Sequence, residues 1–273
     1  MNQPTQEASA PWSRLWPYRA VLAVDARNFS SNTSTVMQQI NADIQQVLDR
    51  SLTSIGLSGD WQRRCFPQHT GDGYVAGMDA EVLPALVGCF PEALQAGLRE
   101  WRHAHPRLAP LQLRVSVHVG PLPDDGLGVP MVHTHRLLDD QALRNLLARA
   151  ADPEITNTAV IISERVYEDV FESGLSTGGT VADQFAARFV RVKTFARPAR
   201  LHVPGLDWGL ADRSIFEVPE PPGTGDGPTG PSPTVPPGAP AKGGGVSFNQ
   251  YGPGGTQGVN PTIHNNFGGG HRA

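Results

Sequence analysis

The chain reads as an α/β protein: a ferredoxin-like α/β sandwich followed by a Pro/Gly-rich C-terminal extension. Three observations carry this. Strand and helix patterns alternate between Tyr18 and Pro204. One pair of strands is joined by a tight hairpin over Gly71-Asp72-Gly73, so the sheet is mixed rather than all parallel. Beyond Pro204 the chain turns to proline and glycine, which cannot build a core.

Residues 1–17 are polar and punctuated by proline, and read as a flexible N-terminal segment. The first strand, Arg19 to Val24, is an apolar run that stops on Asp25. A carboxylate at that place stands at the sheet's edge, within reach of a ligand. Val36, Ile40, Ile44, Val47, Leu48 and Ile55 then recur at helical steps, with Ser34 as cap and Gly56 as stop. Trp61 to Phe66 reads as a strand leading to the Gly71-Asp72-Gly73 tip, where glycine supplies the positive φ of a tight turn. The return strand runs through Tyr74 to Met78.

A second helical pattern spans Val82 to Trp101. Pro84 fits its first turn, while Pro91 predicts a split into two helices. Leu111 to Val119 alternates apolar residues with Gln112, Arg114, Ser116 and His118, a strand with one buried face. Pro121 to Pro130 reads as a loop, His133-Thr134-His135 as a polar turn, and Leu137 to Ala150 as a short helix. A buried strand over Ala159–Ile162, a helix capped by Ser163 and running to Phe171, and closing strands from Arg188 to Val203 complete the domain, taken as 18–204.

The chain has 273 residues, with 39% hydrophobic and 18% charged, enough for one core. The net charge of −4 gives no argument for nucleic acid or an anionic membrane as partner. Cys65 and Cys89 are not in metal spacing and suit a reducing compartment. No signal-peptide pattern and no membrane-length apolar run is present, so the expectation is a cytoplasmic protein. Residues 205–242 read as a linker, with nine prolines between Pro219 and Pro240. Residues 243–273 are rich in Gly, Asn and Gln with interleaved Phe248, Tyr251 and Phe267. They read as a disordered tail or as a self-associating segment that reaches other copies or an effector protein.

Asp25-x-x-x-Phe29 and Gly71-Asp72-Gly73 resemble the two metal-binding motifs of class III nucleotide cyclase catalytic domains. The resemblance continues through Leu111–Gly120, Arg136–Asp139 and Ala159–Ser163, and covers about Tyr18 to Pro204. It implies the same sandwich fold and a reaction that turns a nucleoside triphosphate into a 3′,5′-cyclic nucleotide and pyrophosphate. It also implies two Mg²⁺ or Mn²⁺ ions held by Asp25, Asp72 and the backbone carbonyl of Ala26. Phe29 and the backbone beside it, with Gly71, would cradle the triphosphate. Arg136 would stabilise the transferring phosphate, and the site would be completed across a homodimer.

The chain departs from the family at three places. Val132 stands where a ribose-orienting asparagine is expected, with His133 and His135 nearby. Gln68 stands where purine cyclases carry a base-reading lysine, and its acidic companion falls near Asp125. Lys193 matches the start of a phosphate-binding lysine segment whose second lysine is absent. These departures support an alternative: a cyclase-like domain without turnover, binding a nucleotide or a partner in signalling or defence, with the tail transmitting the output. Another two-metal nucleotidyl enzyme on the same sandwich is a third option.

Overall fold

The structure is a computed structural model that describes residues 13–149, 152, 154–212 and 214; the expected linker beyond residue 214 and the whole tail therefore lie outside the described residues, while Leu206 and Trp208 of the expected linker pack against the domain's core. β1 (Tyr18–Ala26) leads into α1 (Ser34–Ser54), then α2 (Ser58–Gln62), β2 (Cys65–His69) and β3 (Gly73–Asp79). α3 (Leu83–Val87) and α4 (Cys89–Ala104) precede β4 (Leu113–Pro121). α5 (Val129–Leu138), α6 (Gln141–Arg149), β5 (Thr158–Ser163), α7 (Glu164–Tyr167), β6 (Ala186–Val192) and β7 (Phe195–His202) follow.

The seven strands form one sheet in the order β2-β3-β1-β4-β5-β7-β6. β2, β3, β1 and β4 are antiparallel neighbours, with helices crossing between β1 and β2 and between β3 and β4. That is the ferredoxin-like arrangement. β4 and β5 pair in parallel, which makes the whole sheet mixed, as the sequence predicts. The period of two along β1 divides its side chains between two cores. Ala20, Leu22 and Val24 face the core that includes Ile44, Leu48, Leu94 and Leu98 of α1 and α4. Val21 and Ala23 face the other, with Leu137, Leu138, Leu143 and Leu147 of α5 and α6.

Several sequence expectations are corrected. Trp61 is helical rather than the start of a strand: its amide bonds to the Leu57 carbonyl, and its buried indole N–H bonds to Asp49. The strand begins later, at Cys65. β4 is buried on both faces rather than one, because α5 and α6 cover the side that carries Ser116 and His118. The expected loop and turn before Leu137 are mostly helix: Pro130 sits in the first turn of α5, and His133-Thr134-His135 lies within it. The helix expected over Leu137–Ala150 is broken at Asp140, whose Oδ1 accepts the amides of Ala142 and Leu143 and caps α6. The split at Pro91 is as expected, with the break at Gly88.

Candidate functional site

Asp25 stands opposite Gly73 of β3 and opposite Arg114 of β4. Directly opposed residues in an antiparallel pair present their side chains on the same face. Arg114 uses this: its Nε donates to Asp25 Oδ1 at 2.7 Å and its Nη2 to Oδ2 at 2.6 Å. Both side chains are largely shielded, at 14% and 15% exposure. Burial raises the Asp25 pKa to about 6; Arg114 works against that rise, and Asp72 adds to it.

The hairpin brings Asp72 to the same place. Gly71 takes φ +89°, the left-handed region the turn requires. Gly73 lies so close to β1 that a β-carbon there would sit 2.0 Å from the Val24 carbonyl oxygen. The Asp72 carbonyl accepts the Ala26 amide at 2.7 Å, and Asn41 of α1 donates to the Gly71 carbonyl at 2.7 Å. Asp25, Thr70, Asp72, Tyr74, Arg114, His135, Asp139 and Arg144 together line a cavity of about 360 Å³. Arg144 donates to Asp139 at 2.5 Å. Burial lowers the His135 pKa, with Asp139 opposing that shift.

The other sequence-predicted residues are placed differently. Arg136 is on α5, 3.8 Å from Asp139, but does not line the cavity. Phe29 is half-buried against the α1–α4 core, which is a packing role. Gln68 is exposed on β2 opposite Val75. Asp125 accepts the Leu127 amide at 2.9 Å and so caps its own turn, after the end of β4 far from Asp25. Lys193, expected in a strand, is exposed in the β6–β7 turn with φ +54°. Sequence reasoning missed Arg114 and Arg144. Arg114 stood on the face of β4 expected to meet solvent, and the signal that could have found it is its register opposite Asp25.

Among the described residues, no group of three or more His, Cys, Asp or Glu side chains could hold a metal ion by itself. No described helix is long and apolar enough to cross a membrane.

No protein-family model matches the sequence, and no curated protein matches it. Solved structures do show similarity. The guanylyl cyclase Cya2 is 17% identical, with 68% of this chain and 90% of that one covered, at a TM-score of 0.42. An adenylate/guanylate cyclase/hydrolase from Silicibacter pomeroyi is 21% identical, with 67% and 94% covered, at 0.43. A bacterial light-regulated adenylyl cyclase is 11% identical, with 73% and 95% covered, at 0.45. Likeness at this level establishes no kinship.

Proposed function

We propose that this chain is a cytoplasmic nucleotide cyclase-like signalling protein that converts a nucleoside triphosphate into a 3′,5′-cyclic nucleotide and pyrophosphate. One observation carries the reading: Asp25 and Asp72, distant in sequence and each in a cyclase-like motif, line one cavity together with two arginines. A divalent metal fits the residues present. Above about pH 6 Asp25 is ionised beside a second carboxylate, Asp72, and a metal there would take the place of Arg114 on its oxygens. Two carboxylates fall short of a full shell, which suits Mg²⁺ or Mn²⁺ shared with substrate phosphates. Such ions, held by Asp25, Asp72 and the Ala26 carbonyl, would supply Lewis-acid neutralisation of the triphosphate.

Arg114 and Arg144, paired here with Asp25 and Asp139, bring to the cavity planar forks of donors that match phosphate oxygens. Arg136, on α5 but outside the cavity lining, serves the cavity of a second copy in this reading, so the active form is a homodimer. The nucleotide base is left open, since Gln68 and Asp125 do not line this cavity.

A second reading, nucleotide or partner binding without turnover, is favoured by two features. Arg114 already satisfies both Asp25 oxygens, and Lys193 is committed to a turn. Thermal unfolding with Mn²⁺ and each triphosphate tests both readings. Turnover and nucleotide binding both expect metal-dependent stabilisation that Asp72→Ala removes. No stabilisation by any triphosphate contradicts turnover and nucleotide binding, and leaves partner binding alone.

A further inference from the structure

Toward the opposite end of β4 lies a second cavity, of about 450 Å³, formed by β4, α5, α7 and β7. Arg114 and His118 are four residues apart on this strand, about 13 Å, and no residue lines both cavities. Proline, valine and Phe195 make its apolar walls, and a few polar groups converge on it, the pattern of a small-molecule pocket.

His118 is among the innermost of these, only 9% exposed. Its Nδ1 is 2.8 Å from Ser163 Oγ. Ser163 Oγ accepts the Val166 amide at 3.3 Å, and we assign its hydroxyl proton to His118 Nδ1, the nearest acceptor among the described residues. That leaves the ring proton of neutral His118 on Nε2, for which no described residue is a partner. The group His118 offers the cavity is therefore a donor. His133 packs beside it, with ring centroids 5.4 Å from His118 and 5.1 Å from Phe195.

The lining carries two arginines and two glutamates, which differ in their pairing. Arg197 is exposed at the rim and forms no ion pair among the described residues. Arg165 is 3.3 Å from Asp169, and Glu164 is held by Arg200 at 2.6 Å. Glu168 is an exposed carboxylate at the rim. Burial first, then His133, Arg197 and Arg165, hold the His118 pKa down.

We infer that this second cavity binds a small organic anion, a carboxylate or phosphate head on a compact ring, with His118 Nε2–H and Arg197 as donors and His133 and Phe195 against the ring. The site does not depend on the carboxylates of the first cavity.

The test is a titration of the full chain, without metal, with phenyl phosphate, benzoate and neutral benzamide. It follows the imidazole resonances of His118 and His133 by NMR at fixed pH. One or both anions should shift them saturably, and benzamide should not. Arg197→Gln should weaken binding by about tenfold or more while leaving the rest of the spectrum in place. Asp25→Ala/Asp72→Ala should bind as the natural chain does, which separates this site from the proposed nucleotide site. No saturable shift, an equal response to benzamide, or full affinity in Arg197→Gln each overturns the inference.

Discussion

Removing Arg114 should expose what Asp25 costs the fold. In Arg114→Met the carboxylate keeps its burial and loses both donors, at 2.6 and 2.7 Å. Two unit charges about 4 Å apart at an effective dielectric near 20 interact by about 4 kcal/mol. At 14% and 15% exposure solvent screens little of it. Breaking such a pair from one side costs about 3–5 kcal/mol when fully buried, so we expect a loss of about 3 kcal/mol here. Asp25→Asn/Arg114→Met leaves no orphaned charge and should return to within about 1 kcal/mol of the natural chain. The assay is urea unfolding of all four members of the cycle at pH 7.5.

The pH dependence has a definite sign. The folded pKa of Asp25, about 6, lies above its ordinary 3.8, so the folded state holds the proton more tightly. Asp25 therefore contributes stability below pH 3.8 that is lost as pH rises through 6. Asp25→Asn should abolish that part of the profile. The coupling between the two residues should also shrink at pH 5, where Asp25 is mostly protonated. Additive single effects at pH 7.5, or a coupling independent of pH, would refute the reasoning.

Two further predictions concern the frame around the sites. Burial holds His118 down to about pKa 4 from 6.5, so the unfolded chain binds its proton first and stability falls as pH drops from 6.5 to 4. By the linkage relation that loss is up to about 3 kcal/mol, and urea unfolding of His118→Gln should show a flatter profile by that amount; an unchanged profile would count against it. Gly73→Ala should cost about 3 kcal/mol, because its β-carbon meets the Val24 carbonyl at 2.0 Å, whereas Gly71→Ala meets open space and should cost only about 1 kcal/mol, from its positive φ. Equal losses in the two variants would mean that the hairpin does not press on β1.

The apolar run of β1 and the apolar repeats of α1 and β4 revealed these elements, because each pattern matches one element. Pattern failed where tertiary contacts decide. Nothing local marks the second face of β4 as covered, because Ser116 and His118 are polar and their burial comes from the helical face of the sheet that α5 occupies. Trp61 looked like a strand residue by its neighbours, but its indole closes onto Asp49 of α1 and turns the segment into a helix. The hairpin carrying Asp72 was legible because Gly71 and Gly73 have specific steric reasons to be glycine. The Asp25–Arg114 pair was not, since it depends on the register of two strands nearly ninety residues apart in sequence. The residues assigned to base reading and phosphate binding on family likeness, Gln68, Asp125 and Lys193, lie outside the carboxylate cavity.

The most direct measurement of the central claim is product formation. The purified chain is incubated with Mn²⁺ and each of the four nucleoside triphosphates, and mass spectrometry looks for cyclic nucleotide, with Asp25→Ala/Asp72→Ala as control. The account predicts cyclic product from at least one triphosphate and none from the control. No product from any of the four, with the protein folded and dimeric, would contradict turnover at this site and leave the binding reading in its place.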